Sequence, residues 1–400
     1  MDIKKRIDEI YDEIVEIRRD LHMHPELSQN EVRTAKKISS YLQGLDIDYR
    51  SNVAGNGIVA WIEGKKKCEI KKQFRGVGIR ADIDALPVKE MCDIDFKSMN
   101  KGVMHACGHD VHTAVMLGSA KILKALENEF CGAVKFFFQP AEETVGGAER
   151  MIKEGCLRNP DVDAVIGLHV APLVSSGDIE FCKGKMNAAS TEFEILVHGQ
   201  SCHGAHPDDG VDPIVVASHI VTGLQSIISR NLSPANPGVI TVGKFHSGTA
   251  NNIIPETAVL SGIIRALDNN TQQYIKDCVL KFSTSTAEAF GARAAVSFED
   301  SYPALVNDDF LLDAVHDIAV ENLGTERIHF MPEPSLGSDD FSYFTNSVKS
   351  LYFNLGTKKE GSISSDVLHS GYYCPDEESM KSGMLIEIMS VLKLLEIKAD

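Results

Sequence analysis

Hydrophobic positions along this chain follow more than one rhythm. At the start, Ile3, Ile7, Ile10, Ile14, Ile17 and Leu21 recur at steps of three and four among charged residues, the period of an amphipathic surface helix. From Phe74 to about Cys182, short apolar runs alternate with helical patterns, which reads as α/β with a mainly parallel sheet. Strands are predicted over 76–81, 134–138, 164–168 and, near the C-terminus, 350–355. Helices are predicted over 112–126, with Val115, Leu117, Ile122, Leu123 and Leu126 as the apolar side, and over 146–154.

Between residues 187 and 301 the rhythm changes. A strand over 191–198 leads to a helix opened by Asp212-Pro213 and running to 230. Strands over 238–245 and 258–266, a helix over 270–290 and a strand over 292–299 follow. The order β-α-β-β-α-β is ferredoxin-like. A chain of 400 residues exceeds the roughly 250–300 at which single cores stop growing. Two domains are therefore expected: a catalytic domain from 1–186 with 302–400, and an inserted domain over 187–301. Their junction would form a cleft, where ligand sites are favoured.

Charge and cysteine content narrow the function classes. A net charge of −17 argues against nucleic acid or an anionic membrane as partner, and the Lys-rich stretch 65–72 reads as a solvated hairpin or loop. No apolar run is long enough to span a bilayer, and the N-terminal pattern is that of a surface helix, not of a signal peptide. Nine cysteines, scattered without paired spacing, fit a reducing compartment better than a disulfide framework. The expectation is a soluble cytoplasmic protein.

Ligands of open α/β sheets bind beyond the carboxyl ends of the strands. There the sequence places Asp82, the pair Glu142-Glu143 and His169, with Cys107-Gly108-His109-Asp110 before the first long helix and His369 a loop beyond 350–355. Cys, His and carboxylate together suit Zn²⁺, and oxygen and imidazole donors also accommodate Mn²⁺. Taken singly, Cys107 reads equally as an inert buried thiol, His109 as a capping residue and Glu142-Glu143 as a solvated pair. Two adjacent desolvated carboxylates, however, repel unless a cation or proton intervenes, and all these residues fall at one end of one predicted sheet. His22, His24 and His112 read as packing residues, and Gly146-Gly147 is no phosphate cradle because no Lys-Ser/Thr follows.

The strings RADIDALP (80–87), MHACGHDVHTA (104–114), FQPAEE (138–143), GLHV (167–170), HGAHPDDGVDPI (203–214) and GTANNIIPE (248–256) resemble the aminoacylase/carboxypeptidase metallohydrolases. Within that family they are most similar to the amidohydrolase branch of hippurate hydrolases, auxin-conjugate hydrolases and acetyldiaminopimelate deacetylases. The resemblance implies a zinc-peptidase-like catalytic domain and a ferredoxin-like lid and dimerisation domain. It further implies that Cys107, His109, Glu143, His169 and His369 bind two divalent ions and that Glu142 is the general base. His203 would reach the active site of a partner subunit, Asp82 would orient the region of the base, and Arg265 with Asn252 would hold the substrate carboxylate. Two departures stand out: Arg80-Ala81-Asp82 occupies the place of the wider family's His-x-Asp, and Gly337-Ser338-Asp339-Asp340-Phe341 that of Gly-Ser-Glu-Asp-Phe.

The implied reaction is hydrolysis of an N-acyl amino acid by a homodimer. A dipeptidase or carboxypeptidase of the same family, and a catalytically silent metal-binding dimerising module, are the alternatives.

Overall fold

Asp2 caps the first helix, α1 (Ile3–Met23), by accepting from Lys5 N at 3.0 Å. Its apolar stripe turns inward, burying Ile3, Ile7, Ile14, Ile17 and Leu21. Helix α2 (Val32–Gly44) and the hairpin β1 (Asp48–Val53) and β2 (Gly57–Lys65) follow. Next come β3 (Gly76–Asp82), α3 (His109–Ala125), β4 (Cys131–Gln139), α4 (Ala148–Lys153), β5 (Ala164–Ser175) and β6 (Ile179–Phe181). The computed structural model describes residues 2–68, 72–234, 236–359 and 367–398, so residues 69–71 of the Lys-rich stretch lie outside the described residues. The scattered cysteines contain one disulfide, Cys68–Cys131, contrary to the expectation of free thiols. The pairing of β2 with β4 ends with Lys65 opposite Cys131, three residues before Cys68.

Residues Lys185–Leu305 and Pro334–Ser342 form one compact unit, unit 2, and the rest of the chain another, unit 1. Unit 2 contains β7 (Ala189–His198), α5 (Pro213–Ser226), β8 (Gly238–Ser247), β9 (Thr257–Ala266), α6 (Asn269–Ala289) and β10 (Arg293–Asp300). The strands form an antiparallel sheet in the order β8-β9-β7-β10, the ferredoxin-like arrangement. Helices α5 and α6 bury Val216, Ile220, Leu224, Ile275 and Val279 in a core with Ile195 and Val197 of β7 and Leu260 and Ile264 of β9. Asp212 caps α5, its side chain accepting from Ile214 N and Val215 N. The segment Pro334–Ser342 lies beyond the expected insert, yet belongs to unit 2 because Ser335 N donates to Met186 O and Ala188 N to Gly337 O.

Unit 1 resumes with α7 (Asp309–Leu323), β11 (Ile328–Phe330), β12 (Lys349–Lys358) and α8 (Ser379–Glu396). Its sheet runs β1-β2-β4-β3-β5-β12-β6-β11, with β4, β3, β5 and β12 mutually parallel. Register aligns their carboxyl ends: Asp82 pairs with Gln139, Arg80 with Gly167 and Asn354 with His169. The strand predicted to end at Leu168 continues to Ser175, so His169 lies inside β5 and not after it. Pairing with β12 carries the strand onward. Helix α3 is buried along almost its whole length, against α1, α8 and the sheet. Among the described residues no helix is long and apolar enough to cross a membrane.

Candidate metal centre

Three backbone positions in the left-handed region present the candidate ligands at the carboxyl end of the unit 1 sheet. Gly108 (φ +79) precedes α3 and turns the chain between Cys107 and His109, and a Cβ there would stand 2.5 Å from Val170 Cγ2. A larger residue would have to move the Val170 side chain and adopt a backbone conformation that favours glycine. Ala141 (φ +57) turns the chain out of β4 into Glu142-Glu143, and its N–H donates to Glu31 Oε1 at 2.9 Å. His369 (φ +61) is tied by its N–H to Ala106 O at 2.9 Å. Non-glycine residues cost energy in this region and persist where the surroundings hold them.

Hydrogen bonds then fix the rings. His109 donates from Nδ1 to Asp84 O (2.9 Å) and Asp84 Oδ1 (3.2 Å), so Nε2 is the ring nitrogen turned to the centre. That atom is buried without a hydrogen-bond partner, as is Glu143 Oε1, and the two stand 3.8 Å apart. Glu143 N–H donates to Asp84 Oδ2, so one aspartate braces both residues. His169 donates from Nδ1 to Val170 O (2.8 Å) and turns Nε2 to within 3.5 Å of Cys107 Sγ. His369 Nε2 lies 3.4 Å from Glu143 Oε1.

The donor atoms of Cys107, His109 and His169 all lie within 4.8 Å of one another, as do those of Cys107, Glu143 and His369 and those of His109, Glu142 and Glu143. All six sequence-predicted residues in unit 1 other than Asp82 therefore meet at one place. Two triads share Cys107, and buried polar atoms without partners face into them, so the donor set fits a pair of thiolate- and imidazole-binding divalent ions. Electrostatics agree. Burial alone would lower His109, but Asp82, Asp84 and Glu143 outweigh it and hold the ring up at about 10. Burial and the charges of Glu143 and Glu142 push the Cys107 thiol well up. The pocket has an excess of negative charge that a cation would neutralise.

Asp82 is fully buried and its carboxylate is divided between Arg80 (2.6 Å) and His112 Nδ1 (2.6 Å), with His109 Nε2 3.6 Å away. Burial opposes its charge, yet His109, Arg80 and His112 hold the carboxyl well below the usual range. His112 was read as a packing residue. Both of its nitrogens are in fact engaged, since Nε2 accepts from Val170 N–H at 2.9 Å, and it joins Asp82 to the strand bearing His169.

Asp84 and a second buried network were not singled out from sequence. Asp110, next to His109, is 2.9 Å from Arg18 Nε and 2.8 Å from His22 Nδ1. His22 Nε2 reaches Glu90 Oε1 at 3.1 Å. Burial and Arg18 work against a charge on His22, but Asp110 and Glu90 outweigh them and raise it. His24 bonds back to Asp20 O.

In unit 2, His203 and Asn252 are brought together. The short strands Cys202–His203 and Ile253–Ile254 pair with His203 opposite Ile253, and Gly204 N–H donates to Asn252 O at 2.8 Å. Ala205 N–H donates to His203 Nδ1 at 3.0 Å, which leaves the neutral ring's proton on Nε2. Both side chains are exposed. Arg265 lies in β9 and donates from Nη1 to Ser338 Oγ at 2.8 Å. Ser338 is the second residue of the Gly-Ser-Asp-Asp-Phe string, where Asp339 Oδ1 accepts from Phe341 N–H.

Comparison with known proteins gives a consistent picture. The model of peptidase family M20/M25/M40 matches residues 78–386. Thermostable carboxypeptidase 2 of Saccharolobus solfataricus is 38% identical over 98% of this chain and 98% of its own. Hippurate hydrolase of Campylobacter jejuni is 36% identical over 88% of this chain and 90% of its own. A crystal structure of a dinuclear metal-binding M20 peptidase from Bacillus subtilis superposes with a TM-score of 0.84 at 30% identity, covering 97% of this chain and 99% of that one.

Proposed function

Because this chain belongs to peptidase family M20/M25/M40, we propose that it is a two-metal amidohydrolase that splits N-acyl-L-amino acids, N-acetyl or N-benzoyl, into a carboxylate and a free amino acid. The observation that carries this reading is the meeting of Glu142 with the partnerless His109 Nε2 and Glu143 Oε1. Cys107, His109, Glu143, His169 and His369 would hold the ions. When bound, two ions of Zn²⁺ or Mn²⁺ would supply Lewis acidity to water and to the acyl carbonyl.

The chain's own groups do the rest. Glu142 accepts the proton of the attacking water and returns it to the nitrogen of the leaving amine. Glu143 is unsuited to that part while its oxygen faces His109 and His369. As the carbonyl oxygen gains charge, a fixed N–H donor stabilises it more than the ground state. His203 is our candidate donor, acting on a partner subunit's site, and its Nε2–H tautomer is the one this requires. Arg265 and Asn252 are assigned to the carboxylate of the amino acid, and unit 2 to lid and dimer contacts. Asp82 orients the site through His109 and His112.

A screen of N-acetyl and N-benzoyl amino acids against dipeptides, with protein reconstituted with Zn²⁺ or Mn²⁺ and free amino acid as readout, tests the proposal. Preference for N-acyl amino acids is expected. Preference for peptides would favour the second reading, a carboxypeptidase, which the likeness to the S. solfataricus enzyme supports.

A further inference from the structure

The backbone that brings His369 to the metal centre runs on through Gly371 to Cys374, and it is laid against residues 89–92. Met91 N–H donates to Gly371 O at 2.7 Å, and a Cβ on Gly371 would stand 2.3 Å from Lys89 O. Cys92 Sγ lies 3.5 Å from Gly371 O and 3.4 Å from Tyr373 O. Cys374 follows Tyr373 directly, so the chain enters this second cysteine beside the Cys92 sulfur. Cys92 is buried and Cys374 partly buried, so Cys374 is the less enclosed of the two.

We propose that Cys92 and Cys374 are an oxidation site: a peroxide closes them to a disulfide that staples the His369 segment to residues 89–92 and slows loss of metal from the centre. The surroundings favour Cys374 as the attacking sulfur. The Cys92 thiol and the positive charges of Arg18 and His22 lower Cys374 against burial, and the thiolate is the reactive form. Cys156, by contrast, is buried and pushed up to about 12. In the first step Cys374 Sγ attacks one peroxide oxygen and the O–O bond breaks. One water leaves, and a sulfenic acid remains on Cys374. Cys92 Sγ then attacks that sulfur, the S–S bond forms, the S–O bond breaks, and the hydroxyl leaves with the Cys92 proton as a second water. Two thiols and one hydrogen peroxide give one disulfide and two waters.

The effect on metal follows from connectivity. His369 is otherwise tied by its N–H to Ala106 O. Residues 89–92 are anchored through Glu90 and His22 to Asp110, beside His109. A disulfide would therefore join the last ligand in the chain to the framework of the first ones. This consequence rests on His369 being a ligand. The cross-link itself does not.

Full-length, Zn²⁺-loaded protein is treated with stoichiometric hydrogen peroxide and mapped by non-reducing peptide mass spectrometry. A Cys92–Cys374 linked peptide should form at least about tenfold faster than Cys156 is oxidised, and dithiothreitol should reverse it. Oxidation of Cys374 or Cys92 without the cross-link, or at the pace of Cys156, overturns the site. Transfer of Zn²⁺ to a chromophoric chelator should then be slowed severalfold in the oxidised protein, and not in peroxide-treated Cys92→Ser. A cross-link that leaves transfer unchanged overturns the clamp. Failure to bind Zn²⁺ at all would count against the metal centre while the peptide map still decides the thiol pair.

Discussion

Asp84 shows how a single side chain sets up the chemistry of others. By accepting hydrogen bonds from His109 Nδ1–H and Glu143 N–H it fixes which nitrogen faces the centre and where the carboxylate starts. Such supporting contacts are commonly worth about 10–100-fold in metal affinity. Asp84→Asn should weaken Zn²⁺ binding by about that factor, measured by competition with a chelator, and unchanged affinity would remove Asp84 from the site. Glu142→Gln should do the reverse, keeping both metals while kcat falls by a factor on the order of 10²–10⁴. Loss of metal in Glu142→Gln and its retention in Glu143→Gln would exchange their roles. The ligand candidates were legible because their residue types are chemically distinctive and gather at the carboxyl end of one sheet. The supports were not. Nothing in spacing brings residue 18 or 22 to residue 110, and His112 at one turn from His109 looks like packing until Asp82 and Val170 are seen on its two nitrogens.

Two signals made elements legible: a wet face opposite an apolar one for α1 and unit 2, and short apolar runs for the buried strands β3, β4 and β5. Helix α1 and the ferredoxin-like elements of unit 2 follow their predicted limits within a few residues, because apolar and polar positions alternate at a readable period. Helix α8 was missed: it is buried on nearly every side from Ser379 to Leu395, so its apolar run lacks a helical period. It also carries a buried carboxyl. Glu387 accepts from Ser119 Oγ of α3 at 2.6 Å, and burial raises it to about 8. An unfolded chain would lose that proton near 4.5. Between these values the unfolded state binds fewer protons than the folded one, so this group's stabilisation is fully present below 4.5 and is lost as pH rises towards 8. Each unit of such a shift is worth about 1.4 kcal/mol. Glu387→Gln should therefore match the parent in urea at pH 4.5 and surpass it by a few kcal/mol at pH 8.5. An equal difference at both pH values would mean that Glu387 is not held protonated.

For the whole molecule, the two units divide the labour unevenly: every proposed metal ligand and the base belong to unit 1, and His203, Asn252 and Arg265 to unit 2. That division makes the assignment of His203 to a partner's site testable without a structure of the assembly. Protein carrying His203→Ala and protein carrying Glu142→Gln should each be nearly inactive, the former because one oxyanion donor contributes roughly 10²–10³ in kcat. If the chain is a two-fold dimer with the donor supplied in trans, a mixed dimer holds one site with both groups intact and one with neither. After random exchange at equal ratio, half the dimers are mixed, and activity should recover to at most about a quarter of the wild-type value. Exchange must be verified independently, by mass spectrometry of differently tagged subunits. Recovery near that ceiling requires His203 to act across the interface. Verified exchange without recovery would mean that His203 serves its own chain's site or none, and unit 2 would then have to be reconsidered as a lid that completes the site from within one subunit.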